Sequence, residues 1–330
     1  MEYIRRIWPG LTVSGTVALA VGFIAEHYGG PPFLLALLLG MAFNFLAADA
    51  RVRPGIDIAA RTILRLGVML LGIRITVESI AALGPGPVLL AVSGVGVALL
   101  TGLAAARLAG RSREEGLLSG GAVGICGASA AMAIAAALPR TPQAERLTLL
   151  TVIGVTALST VAMVIYPLLA SVLRLDETAA GILFGATIHD VAQVLGAGLT
   201  VSPQAGDVAT FVKLVRVACL LPVVVAIGWL YRRAVPAGDG QAGGRQPLLP
   251  PFLIGFVALV VLGSIVPLPE IVVTSVSDVS RACLLIAIAA LGVKTSFGEL
   301  FALGWKPLIL LLVETLVLLG FVLAALLLFL

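Results

Sequence analysis

Charge is what this chain has least of. Of its 330 residues only 12% are charged, against roughly 25% in a soluble domain, whose surface must be wetted. A chain with so few polar groups cannot cover itself for water, so a soluble globular fold is excluded and the outer surface must face lipid. Aromatic residues are also few, at 6%, and nowhere do they interleave with basic residues. The arginines fall in short clusters between apolar runs, so the net charge of +4 does not describe a nucleic-acid-binding face. No nucleic-acid partner is expected. The three cysteines, Cys126, Cys219 and Cys283, lie in apolar segments without CxxC or metal-like spacing. That pattern excludes a disulfide framework and a thiolate metal site, and leaves buried free thiols as the expectation. No metal and no organic cofactor are expected, beyond a coupling H+ or Na+ if the protein moves solutes.

What the chain has in abundance is apolar length. Hydrophobic residues make up 60% and mean hydropathy is +1.14. A helix crosses the hydrocarbon core in about 20 residues, and eleven apolar segments can be marked near 7–26, 32–48, 58–80, 86–106, 115–138, 147–173, 178–200, 208–231, 248–267, 275–295 and 307–330. Residues 87–106, 147–173 and 247–269 carry no charged side chain. The expected fold is an all-α polytopic membrane protein of about ten or eleven transmembrane segments, forming one transmembrane domain over 1–330. Arg5 and Arg6 ahead of a long apolar run read as the flank of a retained first span rather than a cleaved signal.

If every segment crosses, most Arg and Lys residues fall on the side of Arg5, Arg51, Arg107, Arg174 and Arg232, and only Arg140 and Arg146 lie clearly opposite. By the positive-inside rule the N-terminus is then cytoplasmic, in a plasma (inner) membrane. The stretch 236–246 reads as the one flexible cytoplasmic linker.

An internal repeat is visible. Pro31-Pro32-Phe33-Leu34 recurs as Pro250-Pro251-Phe252-Leu253 at an offset of 219. At 220, Arg61 meets Arg281, Gly72 meets Gly292, Arg74 meets Lys294, Thr76 meets Ser296, and Ala82-Leu83-Gly84 meets Ala302-Leu303-Gly304. Pro87 likewise meets Pro307. The related parts, 31–108 and 250–330, are separated by an odd number of crossings and so are inverted, as in many secondary transporters. A weaker match at offset 65 pairs Gly116, Leu118 and Gly120 with Gly181, Leu183 and Gly185. Those two segments are parallel if both cross and inverted if both are re-entrant, and both readings stay open.

Two segments carry polar chemistry. Gly120 to Ala130 puts four glycines and Ser129 in mid-segment. A helix broken there, near 115–138, would aim the N–H groups of Ala128 and Ser129 at a ligand, which suits an anion. A small-residue packing face is the plainer alternative. The second, near 178–200, places Thr187, His189, Asp190 and Gln193 within seven residues. Such groups are costly in a membrane unless they face a cavity or each other. They could bind a polar substrate and carry a coupling proton, or merely cap and pack. Lys213 and Arg216 follow three residues apart on one helical face, either facing that site or snorkelling to an interface. Asn44, Asp278 and Glu314 are polar groups without an assigned role.

The blocks Gly121-x-x-Gly124-Ile125-Cys126-Gly127-Ala128-Ser129-Ala130 with Pro139, Ile188 to Val194, and Lys213 to Pro222 resemble the sulfate exporter family of bacterial membrane proteins. The resemblance runs over roughly 10–320, and the family is grouped with the cation–proton antiporter and bile-acid transporter superfamily. It implies a secondary transporter with inverted repeats and broken helices. It carries over Cys126, Gly127, Ser129, His189, Asp190, Gln193, Lys213 and Arg216 as motif positions, to which the residue reading adds Gly124 and Ala128. The loop after the first motif, Ala137-Leu138-Pro139-Arg140-Thr141-Pro142, departs from the family's usual Ala-Pro-Val ending.

The expected function is therefore export of a small inorganic or organic anion, sulfate or a sulfonate, by alternating access around a midplane site. The expected partners are that anion and the lipid bilayer, with a homodimer left open. A cation–proton antiporter using Asp190 and His189 is the alternative. An intramembrane enzyme with Cys126 or Ser129 as nucleophile and His189 as base is the third reading. It finds no elbow or HExxH-type motif to support it, and the protein is expected not to be an enzyme.

Overall fold

The computed structural model describes residues 2–28, 30–139, 142–232, 251–295 and 305–329. The linker over 236–246, Pro250 and the repeat partners Ser296, Ala302, Leu303 and Gly304 lie outside the described residues. Among the described residues there are helices and no strand, and the protein is an all-α polytopic membrane protein. Lipid leaves a chain little choice, because every backbone group must be satisfied within its own segment.

The chain opens with α1 (Glu2–Tyr28) and α2 (Pro32–Ala42), the latter started by proline in its first turn. Next come α3 (Arg53–Ile58), a turn of π-helix over Ala59–Ile63, α4 (Leu64–Leu71) and the short α5 (Val77–Ala82), capped by the Thr76 hydroxyl. The long α6 (Gly86–Leu108) leads to α7 (Arg113–Gly124) and α8 (Ala128–Ala137). The 31-residue α9 (Pro142–Val172) separates that pair from α10 (Glu177–Thr187) and α11 (Val191–Val201). Then follow α12 (Pro203–Ala218), α13 (Leu220–Arg232), α14 (Pro251–Ile265), α15 (Glu270–Lys294) and α16 (Trp305–Phe329). Among the described residues, six stretches are long and apolar enough to cross a membrane: most of α1, α6, most of α9, α12 with α13, α15 and most of α16.

The two polar segments do not run through. Each is a helix that breaks and turns back. Along α7, Gly116 lies against Gly102 of α6, Gly120 against Ala98, and Gly124 against Ala98 and Val95, so α7 retraces α6. After the break, Ile134 of α8 returns to Gly121 of α7, which a straight continuation would carry about 15 Å or more away. The second pair is read from α12. Gly181 and Gly185 of α10 meet Ala205 and Ala209 in the same order, whereas Gly198 of α11 lies beside Gly206. Hence α10 runs with α12 and α11 runs against it. Ser202 alone joins α11 to α12 and caps the latter by accepting from the Ala205 amide at 3.1 Å.

Both polar segments are therefore re-entrant hairpins. The first starts and ends at one end of α9 and the second at the other, so they enter from opposite sides. Their tips meet beside the middle of α9, where the Ser159 hydroxyl accepts from the Asp190 amide at 3.0 Å.

The helices form two bundles. In one, α2 and α4 pack on α15, α14 packs on α4, and α1 covers α2, α3 and α15. The other holds α6 to α13 and α16 around the hairpins. They join where α11 lies against α2 and α15, and where Arg74 meets Asp207 at 3.5 Å. Within the first bundle the contacts come in pairs. A Cβ on Gly292 would lie 2.3 Å from the Leu37 carbonyl oxygen, and one on Gly72 would lie 2.6 Å from that of Phe256. Asn44 Nδ2 donates to the Val293 carbonyl at 2.8 Å, and Gly263 sits against the Ile73 carbonyl. Offsets of 219 and 220 carry the first member of each pair onto the second.

Gly292→Val is expected to lower the thermal midpoint in detergent, since overpacking of this kind costs about 1–3 kcal/mol. Gly228→Val, on α13 with open space around it, is the matched control and should unfold as the parent does.

Candidate functional site

The breaks have local causes. At the first, Gly127 takes φ 64° and ψ −127°, a conformation that side chains disfavour, and its amide closes on the Ala122 carbonyl at 2.8 Å. At the second, Ile188 and Asp190 are extended, and the Asp190 carboxylate caps α11 by accepting from the Ala192 amide at 2.9 Å. Each break leaves a helix C-terminus with unpaired carbonyls and a new helix N-terminus with unpaired amides, close together in the membrane interior.

Lys213 and Arg216 take up the carbonyls. Both are fully buried on α12. Lys213 Nζ donates to the carbonyls of Ile125 at 2.7 Å and Ile188 at 2.9 Å, one from each tip. Arg216 donates through Nε to Gly124 and through Nη2 to Val123, both at 2.7 Å. Its Nη1 reaches Gly185 at 3.0 Å and Ile188 at 3.1 Å. Two cations thus sit on the negative ends of α7 and α10, each worth about half an elementary charge. They neither snorkel nor pair with a carboxylate among the described residues.

His189 stitches the tips from another side. Its Nδ1 is 3.2 Å from the Val123 carbonyl, and Nε2 is 3.0 Å from Thr315 Oγ1 of α16. A carbonyl only accepts, so Nδ1 carries the hydrogen, while the Thr315 hydroxyl lies between Nε2 and the Leu311 carbonyl, the latter at 2.7 Å. Gln193, also buried, donates through Nε2 to Thr160 at 2.9 Å, and its Oε1 has no partner among the described residues.

What remains open is the start of α8. Gly127 supplies no side-chain cap, Ala128 is half-buried and Ser129 is exposed. The Ser129 hydroxyl lies 2.9 Å from Cys126 Sγ and 3.1 Å from the Cys126 carbonyl. Asp190 is also half-buried. The structure therefore brings all ten expected residues to the two tips but divides them. Lys213, Arg216 and His189 lock the tips together, Gly124, Cys126 and Gly127 shape the first one, and Ala128, Ser129 and Asp190 reach its open side. Gln193 ties the second tip to α9. Sequence reasoning missed Ser159, Thr160, Thr315 and Ser119. The adjacent hydroxyl residues Ser159-Thr160, midway along a span without charge over 147–173, were the available signal. Among the described residues no group of His, Cys, Asp and Glu could hold a metal ion.

A family model described as conserved hypothetical protein 698 matches residues 9–311. The chain belongs to that family. Within it, the chain is similar to UPF0324 membrane protein TauZ of Paracoccus pantotrophus, with 52% identity over 98% of this chain and 96% of the relative. It is also similar to UPF0324 membrane protein CT0845 of Chlorobaculum tepidum, with 50% identity over 94% and 86%. UPF0324 membrane protein RB0971 of Rhizobium meliloti is 49% identical over 96% and 91%. No solved structure matches the chain. The family members' own descriptions say membrane protein, in accord with the fold.

Proposed function

We propose that this protein is a secondary transporter of a small anion, sulfate or an organic sulfonate, bound where the two hairpin tips meet. One observation carries the reading. Lys213 and Arg216 neutralise the carbonyl ends of α7 and α10, while the amide end of α8 is left uncapped at Ser129. The field presented to a ligand is then that of a helix N-terminus, which favours an anion. Sulfate fits such a place because its oxygens accept from backbone amides and a hydroxyl without needing a counter-cation at the contact.

Opposed hairpins also suit alternating access, since each tip is anchored to one side of the membrane and faces the other. The paired contacts of Leu37 with Gly292 and Phe256 with Gly72 support two inverted units. Under that reading α2, α4 and α6 correspond to α14, α15 and α16, the first hairpin to the second, and α9 to α12. The second hairpin and α12 precede their unit instead of following it, so one unit is circularly permuted. With both hairpins re-entrant, nine passes remain. Arg5, Arg6, Arg51, Arg53, Arg107, Arg111, Arg113, Arg146 and Arg232 then share one side, and Arg174 and Arg74 lie on the other. For these residues the split is nine to two, the same as full crossing gives, and it supports a cytoplasmic N-terminus in the inner membrane. Against an intramembrane enzyme, both nitrogens of His189 are engaged by Val123 and Thr315, away from Cys126 and Ser129.

Uptake of radiolabelled sulfate into proteoliposomes tests the proposal. Saturable uptake is expected, with KM raised about tenfold in Ser129→Ala, the loss of one good hydrogen bond to a charged ligand. No uptake above protein-free vesicles, with or without a pH or sodium gradient, would sink sulfate as substrate. Cation–proton antiport is favoured by one observation, Gln193 Oε1 without a hydrogen-bond partner among the described residues, one turn from Asp190. Sodium flux under a pH gradient, in place of sulfate flux, would select it.

A further inference from the structure

Glu314 belongs to no motif and lies away from the open side of the hairpin tips, yet its setting is the most demanding in the chain. It sits mid-way along α16 and is fully buried. Its Oε1 is 2.6 Å from Ser119 Oγ of α7, and its Oε2 has no hydrogen-bond partner among the described residues. No basic side chain forms an ion pair with it there. The space is closed: a Cβ on Gly102 of α6 would lie 3.0 Å from Oε1.

Hydrogens can be counted around Ser119. Its hydroxyl lies 2.9 Å from the Glu115 carbonyl of its own helix as well as 2.6 Å from Glu314. One hydroxyl hydrogen cannot make a full hydrogen bond to both, and the carbonyl can only accept. A proton on Glu314 satisfies both, with the acid donating to Ser119 Oγ and Ser119 donating to Glu115. It also removes the cost of an uncompensated carboxylate in the membrane interior, several kcal/mol for an ion without a partner. The neutral acid leaves only a carbonyl oxygen unpaired.

The surrounding ionisable groups do not change this. On α7, Glu115 lies one turn earlier and is paired with Arg111. On α6 the only one is Arg107, in its last turn, and on α10 it is Glu177, in the first turn. On α9 they are Glu145, Arg146 and Tyr166. The next residue of α16, Thr315, bonds His189 at the second tip. One turn of α16 therefore touches both hairpins, through Ser119 and through His189.

We propose that Glu314 is a proton-binding site within the membrane, neutral in the arrangement described, and that its proton is the ion coupled to anion movement. The coupling rests on the transport reading, whereas the proton site does not. Displacing the first hairpin relative to α16 separates Glu314 from Ser119 and opens the carboxyl to water, where it releases the proton.

Infrared spectroscopy of the protein in lipid tests the site without any substrate. A neutral carboxyl C=O band is expected that shifts in D2O, disappears in Glu314→Gln, and moves in Ser119→Ala. Its absence from the folded wild type at all pH values overturns the proposal, and the Ser119 variant decides if Glu314→Gln fails to fold. Sulfate counterflow, which needs no gradient, then separates coupling from transport. Glu314→Gln is expected to keep counterflow within about twofold and lose pH-gradient-driven accumulation by about tenfold or more. Equal gradient-driven accumulation in variant and wild type overturns the coupling. A wild type without counterflow strikes the transport reading, and the infrared band alone then judges the proton site.

Discussion

Arg216→Met is expected to destabilise the protein by about 3–5 kcal/mol, the range for removing one partner from a buried charged network. The side chain makes four hydrogen bonds to carbonyls of Val123, Gly124, Gly185 and Ile188, and is fully buried. A methionine fills similar volume but donates nothing, so those oxygens at two broken helix ends lose their charged donor. Val123 keeps His189 and Ile188 keeps Lys213, while Gly124 and Gly185 have no other side-chain donor among the described residues. Arg216→Lys should recover little, because one ammonium cannot reach carbonyls spread over both tips as a planar fork does. Lys213→Met, with two such bonds, should cost less. Thermal unfolding of the detergent-solubilised protein ranks the three. An unchanged midpoint in Arg216→Met would mean that water, not Arg216, satisfies the carbonyl ends.

Gly127→Ala is expected to leave a folded protein that has lost most of its flux. The reason is conformational and not steric. A Cβ there would meet His189 no closer than 3.6 Å, an ordinary contact. The backbone at φ 64° and ψ −127°, however, costs about 1–3 kcal/mol for a residue with a side chain. Rotating the peptide that starts α8 would relieve that strain and turn the amides of Ala128 and Ser129 away from the proposed anion site. Sulfate flux should fall about tenfold or more for a shift of 1.4 kcal/mol or above in transition-state binding. Full flux in Gly127→Ala would show that the start of α8 takes no part in binding.

Much of the fold is legible in residues alone. Low charge and long apolar runs dictate a helical membrane protein, because only helices and closed barrels satisfy their backbones in lipid. The two interrupted segments announce themselves by glycine and polar residues where hydrocarbon is expected. Pro32 and Pro251 announce the starts of α2 and α14, since proline placement at a helix start is a local requirement. The candidate residues were legible for the same reason: His189, Asp190 and Lys213 are expensive wherever they lie in an apolar run.

Which way the chain goes after a break is not written locally. Whether α8 continues α7 or folds back depends on Gly127 together with Ile134 returning to Gly121, and that contact is tertiary. The same holds for Lys213 and Arg216. Sequence spacing puts them on one helical face but cannot say whether that face meets a ligand, an interface or the carbonyl ends of two other helices 25 to 93 positions away. Ser119 and Glu314 lie 195 positions apart, and nothing in either neighbourhood points to the other. The sequence alone determined the environment, the helical class and the positions of the two breaks, because hydropathy and backbone satisfaction act over one helix length. Only the tertiary structure decided that the broken segments are opposed hairpins and that two cations bind their carbonyl ends, because those facts depend on distances between helices that no local pattern encodes.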